Sequence, residues 1–123
     1  MKLHADKADT YAITAYGDGW LAINGQRHAE SLVVSATDGV RPLRCARFDE
    51  LTPDHFGALL TDKPELVVFG SGARQRFPHP ALLQSLMTQH IGMETMDTPA
   101  ACRTYNILAA EGRRVTAVLL LGD

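Results

Sequence analysis

The clearest hydrophobic pattern in the chain lies in its last quarter. Ala101, Tyr105 and Leu108 are spaced by four and three residues, which places them on one face of a predicted helix. The residues that follow, 115–121, are almost entirely Val, Ala and Leu. A short apolar run of this kind is typical of a strand that is covered on both faces, as in a parallel sheet. The pattern therefore predicts a helix followed by a buried strand.

Both ends of this predicted helix carry recognisable signals. Thr98 is predicted to be the N-cap, Pro99 to occupy the first helical position, and Gly112 to take the left-handed conformation just past the end. Glu111 lies in the last turn, where the helix dipole disfavours a carboxylate. We therefore expect Glu111 to form a structural ion pair with an arginine. The arginines considered are Arg103, Arg113 and Arg114.

The first third of the chain predicts an antiparallel meander. Strands are expected at residues 11–16, 20–23 and 26–35, and turn residues separate them. Asn24 and Gly25 both tolerate positive φ and form a strong tight-hairpin signal. Residues 36–50 carry Asp38-Gly39 and Pro42, so this stretch is predicted to be irregular.

The remainder of the chain alternates between strand and helix patterns. Helices are predicted at residues 52–60 and 80–90, the second with Met87 inward and Gly92 at its end, and strands at residues 65–69 and 93–96. Short links between strands and helices favour parallel strands in one sheet. The sequence thus predicts a single α/β domain over residues 1–123, with a mixed sheet and an antiparallel meander leading in.

Composition narrows the class of protein. The chain has 123 residues, 46% of them hydrophobic, which suits one globular domain. Its formal net charge is -2, so a nucleic-acid partner is not expected. No apolar run reaches the ~20 residues of a membrane-spanning helix, and membrane insertion is not expected either. Two cysteines and an N-terminus without an apolar segment predict reduced thiols and a cytoplasmic location.

Several segments together resemble a known family. They are residues 97–113, residues 69–72 (FGSG), residues 76–78 (RFP) and the Asn24-Gly25 pair. The chain resembles the small α/β domains that include mitochondrial complex I assembly factor three and the adipogenesis-associated domain protein, with bacterial members of unknown function. The resemblance implies a three-layer α/β fold with a mixed central sheet and no demonstrated enzymatic reaction.

One candidate site follows from the predicted topology. In open α/β sheets, ligands bind outside the carboxyl ends of the parallel strands, where residues 70–76 and 97–103 are expected to meet. Arginines and free N–H groups at a helix start suit a phosphate or carboxylate. The candidate ligand-binding residues are Ser71, Gly72, Arg74, Arg76, Thr98 and Arg103. The alternative is that the glycines only form a turn and the arginines pair with surface carboxylates.

Other reactive side chains give weaker signals. Cys102 lies near the start of its helix, where the dipole can lower a thiol pKa, but free cysteines are usually buried. The five histidines are scattered and show no metal-ligand spacing. We therefore predict no catalytic residue, no metal site and no cofactor.

The residues and the resemblance together suggest a function by binding. The first hypothesis is a non-enzymatic, assembly-factor-like module that acts on an unknown protein partner. The alternative is a small-anion binding protein, or an enzyme, that uses residues 70–76 and 97–103.

Overall fold

The computed structural model describes residues 10–122. Within them the strands are β1 (Ile13–Gly17), β2 (Trp20–Ile23), β3 (Gln26–His28), β4 (Leu32–Ser35), β5 (Gly39–Pro42), β6 (Leu66–Gly70), β7 (Gly92–Met96) and β8 (Val115–Leu119). The α-helices are α1 (Pro53–Gly57), α2 (Gln84–Thr88) and α3 (Thr98–Ala110). Three 3-10 helices span Phe48–Glu50, Ala58–Asp62 and Pro80–Leu83. These elements form the mixed α/β fold that the sequence predicted.

The central sheet has five strands in the order β5-β4-β8-β6-β7. Strand β6 pairs in parallel with both β7 and β8, so that Val68 lies opposite Glu94 on one side and Ala117 on the other. The predicted parallel arrangement of the last three strands is confirmed. Strand β4 runs antiparallel to β8 and β5, which makes the sheet mixed, as predicted.

Two hydrophobic clusters cover the two faces of the central sheet. Alternate residues of each strand point to opposite faces, so Val68 of β6 joins one cluster and Phe69 joins the other. The first cluster includes residues of β1, β2 and α3, and the second includes residues of α1 and α2. The fold therefore has three layers, and burial on both faces explains the unbroken apolar runs of β6 and β8.

The predicted return strand at residues 26–35 is wrong in one respect. The chain divides it into β3 and β4, which lie in different sheets: β1-β2-β3 form a small antiparallel sheet, and β4 enters the central sheet. All four residues of β4 are buried, whereas β3 is largely exposed. The prediction of irregular structure at residues 36–50 also missed β5, which Gly39 makes possible by turning the chain at a φ of 104°.

The two shorter helices depart from the predicted ranges. Thr52 is the N-cap of α1, but the helix tightens after Gly57 into the 3-10 segment Ala58–Asp62. The predicted helix at residues 80–90 begins as the 3-10 segment Pro80–Leu83 and ends with His90 at a φ of 58°, while Gly92 opens β7. Met87 was predicted to be inward and is 61% exposed. No helix in the described part of the chain is long and apolar enough to cross a membrane.

The N-cap of helix α3 is Asp97, one residue before the predicted N-cap Thr98. Its Oδ1 accepts from Ala100 N at 2.8 Å. At the other end Gly112 has the predicted left-handed conformation, with a φ of 81°. Gly112 N donates to Ala109 O, and Arg113 N donates to Leu108 O, the paired bonds of a Schellman motif.

The ion pair predicted for Glu111 is not formed. Glu111 is exposed, and none of the ion pairs among residues 10–122 includes it. The carboxylate that pairs at this end is Glu65, whose Oε1 lies 3.3 Å from Arg113 Nε and accepts from Arg114 N at 2.9 Å. Glu65 precedes β6 and the arginines precede β8, so the amino ends of two parallel strands bring them together. The Arg114 N–H bond and Arg113 hold the pKa of Glu65 below its ordinary value.

Candidate functional site

The two predicted site loops, residues 70–76 and 97–103, meet at the carboxyl edge of the central sheet. Thr98 N donates to Gly72 O at 2.8 Å, and Gly72 N donates to Thr98 Oγ1 at 2.9 Å. The Thr98 hydroxyl donates in turn to Leu120 O at 2.7 Å. Thr98 thus joins the loop after β6, the start of α3 and the segment after β8.

The start of α3 has its first N–H groups already occupied. Thr98 N is bonded to Gly72 O, and Pro99 has no N–H to offer. Ala100 N donates to Asp97 Oδ1, and Ala101 N donates to Asp97 O at 2.9 Å. The first four positions of the helix therefore present no open donor, and the Asp97 carboxylate occupies the place that an anion would take.

Ser71 is a buried organising residue of the loop after β6. Its side chain is fully buried, and its Oγ donates to Arg74 O at 2.8 Å and accepts from Arg76 N at 2.8 Å. The same Oγ lies 3.2 Å from Met96 O. Because both the donor and acceptor capacity of the hydroxyl are used inside the loop, Ser71 holds the loop's shape and has no group directed at a ligand.

Two glycines allow the backbone to approach closely at this edge. A Cβ on Gly70 would lie 3.0 Å from the Cα of Thr98 and from the Cβ of Ala101, which shows how tightly α3 sits on β6. Gly72 has a φ of 103°, and a Cβ there would lie 3.0 Å from Gly122 O. A small cavity of about 100 Å³ lies beside the loops, and of the six predicted residues Gly72 and Thr98 line it.

Arg76 is turned toward the layer that contains α1 and α2. Its guanidinium carbon lies 4.5 Å above the centroid of the Phe48 ring, and Phe48 packs against the second hydrophobic cluster. Nη2 donates to Ser71 O at 3.0 Å, while the buried Nε has no hydrogen-bond partner among the described residues. The neighbouring Arg74 is exposed.

Arg103 is held in the layer on the other face of the sheet. It is exposed on α3, and its Nη1 donates to the Tyr16 hydroxyl at 2.8 Å. Tyr16 belongs to β1 of the small sheet, so Arg103 and Arg76 are engaged by different layers. The structure brings Ser71, Gly72, Arg76 and Thr98 together, but it does not gather all six predicted residues around one cleft.

The two reactive groups on α3 are embedded in the core. Cys102 is fully buried, and burial raises the pKa of its thiol to about 11. Burial likewise raises the pKa of the Tyr105 hydroxyl, which donates to Tyr11 O. A thiol with a raised pKa stays protonated near neutral pH, so Cys102 is a packing residue rather than a nucleophile. Burial also raises the pKa of Cys45.

A larger open cleft lies away from the predicted loops. It has a volume of about 810 Å³ and lies between the small sheet and the β4–β5 hairpin. Its lining mixes both signs of charge, including Arg27, Glu30, Asp38 and Arg41. None of the six predicted residues lines it. In residues 10–122, no group of three or more His, Cys, Asp or Glu is placed to hold a metal ion.

Two further polar contacts were not anticipated from the sequence. Asn106 accepts from Ile13 N at 2.8 Å and donates to Ile13 O at 2.7 Å, so one side chain of α3 clamps β1. Arg41 of β5 makes a bidentate pair with the buried Asp62, with both N–O distances at 3.0 Å. The residues of each pair are far apart in the chain, and the only local signal was that a helix-interior Asn is unfavourable.

Comparison with protein-family models finds a match over most of the chain. A family described as "Protein of unknown function (DUF498/DUF598)" matches residues 13–120. The matched range includes every strand and helix of the described structure.

Curated and solved proteins give the same picture. NADH dehydrogenase (ubiquinone) 1 alpha subcomplex assembly factor 3 from Homo sapiens is 31% identical over 120 residues, which cover 96% of this chain and 65% of the human protein. The Mus musculus protein of that name is 37% identical over 73 residues, which cover 58% of this chain and 40% of the mouse protein. A Bordetella pertussis structure described as a Mth938-like domain has a TM-score of 0.81 and 33% identity, and the match covers 100% of this chain and 94% of that one.

Proposed function

This chain belongs to the family described as Protein of unknown function (DUF498/DUF598), and on that premise we propose that it is a non-enzymatic module that binds a protein partner, in the manner of an assembly factor. The observation that carries the proposal is the closed hydrogen bonding at the carboxyl edge of the sheet. The Ser71 hydroxyl donates to Arg74 O within its own loop. Gly72 N donates to the Thr98 hydroxyl, which donates in turn to Leu120 O. Donors and acceptors that are already hydrogen-bonded within the protein are not available to bind a small polar ligand.

The names of the relatives also support an assembly-factor-like function. A human relative that aligns with nearly the whole of this chain is named an assembly factor of the NADH dehydrogenase 1 alpha subcomplex. The chain spans 65% of the human protein and 40% of the mouse protein. We therefore propose the general mode of action, a protein partner, and leave the particular complex to experiment.

The burial of the thiol and hydroxyl side chains of α3 also favours a binding function over catalysis. General acid–base or nucleophilic catalysis needs a reactive group that a substrate can reach. Cys102 and Tyr105 are fully buried. The small-anion alternative depends on free N–H groups at the start of α3. Those of Thr98 and Ala100 donate instead to Gly72 O and Asp97 Oδ1.

Affinity capture from the native cell tests this proposal. The chain is tagged, expressed at its native level and captured, and the eluate is divided for protein quantification and for untargeted small-molecule analysis. We expect a co-purifying protein at a molar ratio near one, absent from an untagged strain. A monomeric protein that carries a stoichiometric anionic metabolite and no protein partner would contradict the proposal. Fractionation of the same cells tests the cytoplasmic location that we also propose.

A further inference from the structure

One long segment of this acidic chain has no acidic residue. All 14 Asp and Glu residues lie outside residues 66–93, which contain Arg74 and Arg76. Neither arginine takes part in an ion pair in the described structure, where the ion pairs use Arg41, Arg47 and Arg113. In a chain with a net charge of -2, Arg74 and Arg76 thus lie in a stretch of sequence that carries no carboxylate of its own, and within residues 10–122 neither is held in an ion pair.

The loop that presents these arginines is held in a fixed shape. The Ser71 hydroxyl joins Arg74 O and Arg76 N, and Gln75 Nε2 donates to Thr95 O at 2.8 Å on the edge strand β7. The Arg76 guanidinium is positioned by Ser71 O and the Phe48 ring. A loop ordered in advance loses less conformational entropy on binding, which is the usual advantage of a rigid binding loop.

An exposed aromatic ring follows directly on this loop. Phe77 is 71% exposed and stands between Arg76 and the buried Pro78. Met87, in the same acid-free segment, is 61% exposed. Arginine and large apolar side chains on a rigid support are typical of the centre of a protein–protein interface.

We propose that Arg74, Arg76 and Phe77 form the docking surface for an acidic segment of a protein partner that carries an apolar socket for the Phe77 ring. This inference rests on the proposed function and names its surface and the chemistry of the partner. Carboxylates of the partner pair with the two arginines, and the ring enters the socket. The absence of Asp and Glu from residues 66–93 means that no carboxylate of this segment opposes that approach.

In-cell photo-crosslinking tests the surface. Phe77→p-benzoylphenylalanine places the photoreactive group on the proposed surface, and Ile107→p-benzoylphenylalanine is the matched control. Ile107 is 60% exposed, but it lies on α3 in the layer on the opposite side of the central sheet. We expect a protein adduct from position 77, with an Asp- or Glu-containing peptide at the crosslink, and none from position 107.

Charge reversal tests the chemistry of the partner. Arg74→Glu is introduced beside the crosslinker at position 77. Lys63→Glu is the control, because Lys63 is exposed, makes no ion pair in the described structure and precedes β6, at the opposite end of that strand from the loop. We expect Arg74→Glu to lower the adduct yield on the order of tenfold, as for a direct charge contact at an interface, and Lys63→Glu to leave it unchanged. The Arg74 side chain is exposed and only its backbone oxygen is bonded to Ser71, so the fold is retained in this variant.

Each other result would overturn the inference in a distinguishable way. A protein adduct at position 107 and none at 77 would move the interface elsewhere and leave the proposed function standing. An adduct at 77 that Arg74→Glu does not reduce would exclude an acidic partner. Co-sedimentation of the purified chain with phosphatidylglycerol vesicles, lost in Phe77→Ala, would replace the protein partner by a membrane surface. No protein adduct at either position would count against the proposed function as well.

Discussion

At the scale of single residues, the Thr98 hydroxyl joins three separate segments at the carboxyl edge of the sheet. It accepts from Gly72 N and donates to Leu120 O, and it is buried. Removing it would leave a buried N–H and a buried C=O without partners, and such groups carry their full desolvation penalty. Thr98→Val should therefore lower the free energy of unfolding by about 2 kcal/mol, whereas Thr98→Ser should retain most of it. Urea unfolding of both variants checks this, and equal losses would argue against a role for the hydroxyl.

The Arg41–Asp62 pair predicts an asymmetric response to mutation. Asp62 is 5% exposed and Arg41 is 36% exposed. Arg41→Ala leaves a buried carboxylate without its partner and should cost about 3 kcal/mol. Asp62→Ala leaves a guanidinium that can turn into solvent and should cost less. The double variant should be more stable than Arg41→Ala alone, and a double-mutant cycle measures this. Additive losses would show that the pair is not coupled.

Cys102 predicts a loss of stability at alkaline pH. Burial raises the pKa of its thiol from 9.0 to about 11 in the folded chain. Between these values the unfolded chain has released the proton and the folded chain has kept it, so stability falls as the pH rises from 9 to 11 and is unaffected below 9. At pH 10 the contribution is about 1 kcal/mol.

The measurement for Cys102 compares urea midpoints at pH 8 and pH 10. Cys102→Ala has a cavity and is less stable at both values, but it lacks the titrating thiol. Its stability should therefore fall less between the two pH values than that of the natural chain. An identical fall in both proteins would show that Cys102 is ionised as easily in the folded chain as in the unfolded one.

At the scale of elements, α3 fastens the small sheet to the central sheet through Asn106. Its amide bonds both backbone groups of Ile13 in β1, an edge strand of the small sheet. Asn106→Ala should speed amide hydrogen exchange in β1–β3 by about an order of magnitude, since two part-buried backbone groups of Ile13 lose their partners. Exchange in β4, β6 and β8 should change less. Ile107→Ala, at an exposed neighbouring position, is the control, and a uniform change across both sheets would contradict this division.

The elements also show which features the sequence could predict. The apolar runs of β6 and β8 and the helical spacing of Ala101 and Tyr105 are local patterns, and the structure contains them in the predicted order. The break between β3 and β4 was missed because residues 26–35 read as one extended run, and only pairing with β8 separates them. Glu65 and Arg113 meet through parallel pairing of β6 and β8, which no local pattern of Glu111 could reveal.

The sequence predicted which two loops meet, but not which of their hydrogen-bond donors are free. Parallel strand order correctly placed the residues after β6 beside the start of α3. Whether an N–H group is free depends on its hydrogen-bond partner. Gly72 O and Asp97 Oδ1 take the donors that were assigned to an anion. A helix start therefore gives a ligand site only where the surrounding chain leaves its donors unused.

At the scale of the whole molecule, the sheet offers little free surface of its own. Clusters of apolar side chains cover both faces, and the loops after β6 and β8 close the carboxyl edge. The exposed large apolar residues of the described chain are Tyr16, Phe77, Met87 and Ile107. A function by contact with another protein uses such outward-facing residues, and it leaves the interior to stabilise the fold.

The most direct test of this account is the size of the native protein in cell extract. The chain is detected by immunoblot after size-exclusion chromatography, with the purified protein as the reference for its own oligomeric state. A partner-binding module should elute at a mass well above that of the purified chain, whose monomer is 13.4 kDa. It should return to the reference position at about 1 M salt, where charge contacts are screened over a few ångströms. Elution at the reference position in low salt would contradict the account.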